Sequence, residues 1–129
     1  MSSSIFSDFS IVYVEDEVIV AIEKSEQLKE LGFREVRTAH TLRAAEHLVQ
    51  TSLPDIALLD VNLGNGERST DLGVQLRDQG VIVVFASGYN KGELGARLQS
   101  FEFLEKPIGS IEIASLLRKI LSEQEKWRA

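Results

Sequence analysis

Groups capable of chemistry recur in this chain just behind short apolar runs. Glu15, Asp16 and Glu17 follow Ile11-Val12-Tyr13-Val14, and Asp60 follows Ile56-Ala57-Leu58-Leu59. Ser87 follows Val81-Ile82-Val83-Val84-Phe85-Ala86, and Lys106 closes the segment that starts at Phe101. Three carboxylates gathered at one place repel one another, and one must then be paired or protonated. A hard divalent cation, Mg²⁺ or Mn²⁺, resolves the conflict because it takes oxygen ligands and keeps several waters. Lys106 adds a second positive charge on a flexible stem, Ser87 adds a hydroxyl, and Asp60 keeps an uncoordinated oxygen. Together these are the parts for in-line phosphoryl transfer to Asp60, where positioning and charge neutralisation carry most of the catalysis.

Taken singly, each residue has a plainer role. Acids favour helix N-termini. A lysine before a proline ordinarily ends an exposed strand, a serine at a strand end caps or turns, and Asp60 could simply close its strand. The chemical reading requires the four strand ends to meet, so the elements decide it.

The order of elements brings them together. Phe9–Val14 is β-branched and aromatic, and reads as strand 1. Helix 1 runs from Val18 to Leu31 with Gly32 as its stop signal, and its inward stripe holds Val20, Leu28 and Leu31. Ile19 and Ile22 lie off that stripe; they are expected to tuck under neighbouring loops, the alternative being a partner-facing patch. Phe33–Ala39 is a more polar strand 2 suited to a sheet edge. Thr41 is placed to cap helix 2, in which Leu42, Ala45, Leu48 and Val49 keep helical spacing to about Gln50. Asp55–Leu59 is an apolar strand 3 that delivers Asp60. A loop from Leu63 to Thr70, rich in Gly and polar residues, precedes helix 3 at Asp71–Gln79, which points Leu72, Leu76 and Val74 inward and which Gly80 ends. Val81–Ala86 is strand 4, Lys91–Leu98 a modest helix 4, and Phe101–Leu104 strand 5. Ser110 is placed to cap helix 5, whose stripe is Ile113, Leu116, Leu117, Ile120 and Leu121.

Five strands alternating with five helices imply right-handed crossovers. The fold class is therefore α/β: a doubly wound, flavodoxin-like (βα)5 sandwich around a five-stranded parallel sheet, for which the order 2-1-3-4-5 is expected. In such sheets ligands bind outside the carboxyl ends of the strands, at the switch point. That point falls between strands 1 and 3, and sets Glu15 and Asp16 beside Asp60, one strand spacing of ~4.8 Å away.

Composition narrows the function classes. The chain has 129 residues, which suits a single domain, 1–129, with a core over about residues 8–122. There is no Cys, so disulfides and thiolate metal sites are excluded. A net charge of −6 and the lack of a basic stripe speak against direct nucleic-acid binding. No apolar run approaches the ~20 residues that span a bilayer. Met1-Ser2-Ser3-Ser4 has no basic n-region, so it reads as a frayed tail and not a secretory signal, and the expected location is cytoplasmic. His40 and His47 fall near helix 2 and are expected on the surface, neither serving as a phosphocarrier.

The chain resembles the receiver domains of two-component response regulators, specifically single-domain ones. The resemblance rests on Val14-Glu15-Asp16-Glu17, Leu58-Leu59-Asp60-Val61-Asn62-Leu63, Phe85-Ala86-Ser87-Gly88-Tyr89 and Lys106-Pro107, four ordered motifs spanning nearly the whole chain. It implies that Asp60 is the phosphoacceptor, served by a histidine kinase or a histidine phosphotransfer protein. Asp16, Asp60 and the backbone carbonyl of Asn62 would ligate Mg²⁺, with Glu15, where the family more often has Asp, acting through a metal-bound water. Lys106 and Ser87 would contact the phosphoryl oxygens, Phe103 would be the rotating aromatic of the switch, and Asn62 and Tyr89 would tune dephosphorylation. The Lys106-Pro107 bond would be cis.

Two departures stand out. Gly64 replaces the proline most receivers carry, within a longer Gly64–Thr70 loop, and Gly88 replaces a common Ala. The strand 4 motif is similar to a subgroup of stand-alone receivers common in alphaproteobacteria, in which Phe103 is less typical.

The resemblance also frames signalling. Phosphorylation adds about −1.5 to −2 charge at Asp60. It would draw the loop after strand 4 inward and reshape the face of helix 4, strand 5 and helix 5 for an unknown downstream protein. The tail Ser122–Ala129, with Trp127 as an exposed tail residue, carries no output domain, so a monomer or weak dimer working through noncovalent partners is expected. The domain would not turn over a separate substrate. The alternative is a constitutive interaction module indifferent to phosphorylation. A flavin or nucleotide binder is disfavoured because carboxylates stand where a phosphate loop would follow strand 1. A Mg²⁺-dependent phosphatase would be told apart by turnover.

Overall fold

The computed structural model describes residues 5–88 and 95–128, with side chains described as far as 124. The tail Met1–Ser4, Tyr89 and the first part of the expected helix 4 lie outside the described residues, as does the Trp127 side chain.

Five parallel strands form one sheet in the order β2-β1-β3-β4-β5. They are β1 Ser10–Val14, β2 Glu35–Ala39, β3 Ile56–Asp60, β4 Ile82–Ser87 and β5 Glu102–Glu105. Central β1 and β3 are buried at every position, as apolar runs must be when helices cover both faces. The edge strands β2 and β5 expose polar side chains.

The helices are α1 Val18–Glu30, α2 Leu42–Thr51, α3 Thr70–Asp78 and α4 Ser110–Arg128. Alternating strand residues divide the core in two. Ile11, Tyr13, Ile56, Leu58, Val84 and Ala86 pack against Ala21 and Leu28 of α1 and Ile113, Leu117 and Leu121 of α4. Val12, Val14, Ala57, Leu59, Val83 and Phe85 pack against Ala45 of α2 and Leu72 and Leu76 of α3. Gly73 permits the tightest of these approaches, because a Cβ there would lie 2.3 Å from the Phe85 ring.

Local signals act largely as expected. Thr41 accepts from the Ala44 N–H at 3.0 Å and caps α2, while Gly32 and Gly80 take positive φ just past α1 and α3.

Several details differ. Ile19 and Ile22 do not tuck under loops: they are 82% and 59% exposed, beside Val18. The small residues Ala21 and Ser25 take the inward face of α1, because that face lies close to the sheet. Ser110 is the first residue of α4 and not its cap; the Ile113 N–H bonds to the Gly109 carbonyl, so the helix opens one residue earlier. The segment expected as a tail continues α4 to Arg128. Of the expected helix 4, the described part is a single 3₁₀ turn, Ala96–Leu98. Packed structure also begins before residue 8: Phe6 sits in a 3₁₀ turn, fully buried, and stacks on Phe33 with ring centroids 4.7 Å apart.

Candidate functional site

The register that buries β1 and β3 also sets the acids together. Val14 pairs with Leu59, so the next residues, Glu15 and Asp60, emerge side by side at the carboxyl edge. Oxygen atoms of Glu15, Asp16 and Asp60 all lie within 4.8 Å of one another. On the other side of Asp60, β4 ends at Ser87, which pairs with Glu105 of β5, and the Lys106 N–H bonds to the Ser87 carbonyl at 3.0 Å. Lys106 thereby reaches back across the sheet. Its Nζ donates to Asp60 Oδ2 at 2.8 Å and lies 3.2 Å from Glu15 Oε1. The Lys106-Pro107 peptide is cis.

Burial sharpens the electrostatics. Glu15 and Asp60 are almost fully buried, while Asp16 is half-exposed at the mouth. Burial, reinforced by the neighbouring Glu15, pushes the Asp60 carboxyl up to about 7 against the pull of Lys106. Glu15 moves the other way: burial opposes its ionisation, but hydrogen bonding with Asp60, the Glu17 N–H and Lys106 lowers it. Lys106 is raised, since its two carboxylate partners outweigh its burial. One ammonium thus faces two buried carboxylates plus Asp16, a donor set of oxygens alone with net negative charge. That set fits a hard divalent cation. An open cleft of about 490 Å³, lined by Asp16, Asp60, Asn62, Gly64 and Lys106 among others, gives access.

The loop after β3 is a small hairpin. Asn62 bridges Arg68, the Leu63 N–H bonds to the Glu67 carbonyl, and Asn65 and Gly66 supply positive φ at its tip. Gly64 has φ +81°, and a Cβ there would lie 3.3 Å from Asp16 Oδ2. Proline, fixed at a φ of about −65°, could not take this conformation.

Of the remaining expected site residues, Ser87 is buried at the end of β4. Phe103 is half-buried with its ring 5.4 Å from that of Phe85. Three residues not expected at the site also reach it. Tyr13 lies buried below the site, in a cavity of about 320 Å³ shared with Glu15, Lys106 and Pro107. His40 is half-buried and not a bystander: its Nδ1 lies 3.1 Å from the Glu15 carbonyl oxygen, whereas His47 is exposed. Ser69 is fully buried and donates to the Asp60 carbonyl at 2.7 Å. In the sequence it is one polar residue within the Leu63–Thr70 loop, and nothing local marks it.

Residues 11–118 match the response regulator receiver domain family. The chain belongs to that family. Receiver domains are signalling modules of phosphorelays, interact with histidine kinases or phosphotransfer proteins, and bind Mg²⁺ through acidic residues such as the cluster seen here. Among solved structures, the chain is similar to SdrG from Sphingomonas melonis Fr1, with 31% identity, coverage of 94% of this chain and 99% of that one, and a TM-score of 0.73. It is also similar to a CheY-like receiver domain from Methylobacillus flagellatus, with 29% identity, coverage of 92% and 99%, and a TM-score of 0.74. The PhyR receiver domain from Erythrobacter litoralis, 21% identical with a TM-score of 0.76 over 92% of this chain and 91% of that one, shares the fold. A search of curated proteins finds no match. No helix among the described residues is long and apolar enough to cross a membrane.

Proposed function

We propose that this receiver domain accepts a phosphoryl group on Asp60 in a divalent-cation-dependent reaction and thereby switches a noncovalent partner. The observation that carries the reading is the convergence of Glu15, Asp16 and Asp60 within 4.8 Å while Lys106 contacts both buried acids. In the forward step an Asp60 oxygen attacks the phosphorus of a phosphohistidine. The P–O bond forms as the P–N bond breaks, and the imidazole leaves with its electron pair and takes up a proton. Asp16, Asp60 and the Asn62 carbonyl would hold Mg²⁺, with Glu15 acting through a bound water. The cation supplies charge neutralisation for the acids and the incoming oxygens. Lys106 pairs with the phosphoryl group and orients it in line. Ser87 donates a hydroxyl hydrogen bond to one of its oxygens, and Phe103 follows that movement. Asn62 and, by the family resemblance, Tyr89 would tune the later hydrolysis of the acyl phosphate by water.

The exposed Val18, Ile19 and Ile22 beside the acidic edge suit the docking of a phosphodonor protein. The site works as one unit over the domain, and its output passes through the face formed by the segment before β5, β5 itself and α4.

Intact mass after incubation with Mg²⁺ and a small acyl phosphate tests this. One added phosphoryl group is expected in the wild type, and none in Asp60→Asn or without metal. An unmodified wild type, under conditions that label another receiver, would support the constitutive-module reading instead.

A further inference from the structure

Ser69 stands immediately before α3, where a serine ordinarily turns its oxygen onto the free N–H groups of the first turn. No side-chain bond caps α3. The Ser69 hydroxyl instead donates to the Asp60 carbonyl oxygen at 2.7 Å, with the residue fully buried. Its N–H donates to the Val61 carbonyl at 3.0 Å, and its carbonyl accepts from the Gly73 N–H at 2.9 Å. Ser69 therefore joins three things at once: the end of β3, the base of the hairpin loop, and the start of α3.

The location matters because β1–β3 pairing stops at Val14 and Leu59, one residue short of Asp60. The Asp60 carbonyl lies beyond the last pair of that register, and Ser69 supplies its donor. Inside the loop that Ser69 closes, Asn62 occupies the first position of the hairpin, bridged to Arg68. Ser69 thus holds two consecutive carbonyls, those of Asp60 and Val61, directly before Asn62.

We propose that Ser69 is a positioning residue of this site: through the Asp60 carbonyl it sets the spacing between the Asp60 carboxylate and the Asn62 carbonyl, and so the affinity for the divalent cation. The inference rests on the cation-dependent reading above. It concerns a hydroxyl spent on the phosphoacceptor's backbone in place of its own helix.

The test is an NMR-monitored Mg²⁺ titration of the full chain as wild type, Ser69→Ala and Ser69→Cys, with thermal melts of each. It runs beside initial rates of Asp60 labelling by a small acyl phosphate across Mg²⁺ concentrations. Cysteine nearly preserves volume but is a weak donor. Losing one net hydrogen bond predicts a rise of about three- to tenfold in half-saturating Mg²⁺ for both variants. The labelling rate at saturating Mg²⁺ should not change. Unchanged half-saturation in both variants overturns the proposal. So does a lowered saturated rate with unchanged half-saturation. Loss of folding in both variants also overturns it, since the hydroxyl would then hold the fold and not the site. If the wild type neither binds Mg²⁺ nor takes a phosphoryl group, the underlying reading falls and takes this inference with it. If only the variants match the wild type, the reading stands and Ser69 alone is acquitted.

Discussion

Lys106 Nζ stands 2.8 Å from Asp60 Oδ2 although the two residues lie 46 positions apart. The same ammonium is 3.2 Å from Glu15 Oε1, so it partners two buried acids at once. Its side chain is about one-third exposed, which screens part of the attraction. Lys106→Met should therefore cost about 1–3 kcal/mol at neutral pH, a fall in Tm of roughly 4–10 °C. Labelling of Asp60 by an acyl phosphate should slow roughly a hundredfold, as when one transition-state donor is removed. Melting curves and mass spectrometry read both effects. Near-wild-type labelling would deny Lys106 its part in the reaction.

The raised Asp60 carboxyl makes stability depend on pH with a definite sign. An unfolded Asp releases its proton near 3.8, while the folded metal-free protein holds it to about 7. Between those values the folded state binds more protons, so this group's contribution to stability falls as pH rises. Glu15, which is lowered, contributes in the opposite sense at the acid end of the window. The expected result is a metal-free wild type that loses Tm relative to Asp60→Asn as pH goes from 5 to 8. Mg²⁺ should raise the wild-type Tm more at pH 8 than at pH 5, since it favours the ionised acid. Equal Mg²⁺ shifts at both pH values would count against the site.

Gly64 and Gly66 separate backbone strain from metal binding. Both take positive φ, +81° and +77°, but only at Gly64 would a Cβ approach the Asp16 carboxylate. Alanine at either position should cost about 1 kcal/mol, the ordinary penalty of a side chain in that backbone region. Gly64→Ala should also raise half-saturating Mg²⁺, while Gly66→Ala should leave it unchanged. A Mg²⁺ titration with paired melts distinguishes them, and identical titrations would show that Asp16 tolerates the intrusion.

The exposed isoleucines of α1 predict a split between phosphodonors. Ile19→Glu and Ile22→Glu remove apolar surface and add charge on a face that the fold leaves uncovered. Labelling by a small acyl phosphate should not change, whereas transfer from a phosphorylated histidine kinase should slow by about tenfold or more. If both donors slow together, the face affects the site and not docking.

Much of this architecture was legible in the chain before any coordinates. The apolar runs at Ile11–Val14, Ile56–Leu59 and Val81–Ala86 have no solvent face, which demands helices on both sides and a parallel sheet. Thr41, Gly32 and Gly80 marked helix ends because capping and positive φ favour particular residue types. The illegible parts were those where a residue has two local roles and tertiary packing chooses. Ser69 reads as one more polar residue of the Leu63–Thr70 loop but spends its hydroxyl on Asp60. His40 reads as a surface residue, yet it reaches the Glu15 carbonyl because β2 pairs beside β1. Ile19 and Ile22 read as candidates for burial, but Ala21 and Ser25 let α1 settle close on its other side.

What the sequence determined by itself was the set of parts: which strands exist, and that Glu15, Asp16, Asp60, Ser87 and Lys106 end those strands. Periodicity and residue type suffice for that, because both are local. Only the tertiary structure decided how the parts engage. The register of Val14 with Leu59 joins two acids into a buried pair that their hydrogen-bond partners make unequal. The reach of Lys106 across two strands gives both acids the same ammonium, and the Ser69 hydroxyl ties the Asp60 carbonyl to the start of α3. These are distances between residues far apart in the chain, and packing of the whole sheet and its helices sets them.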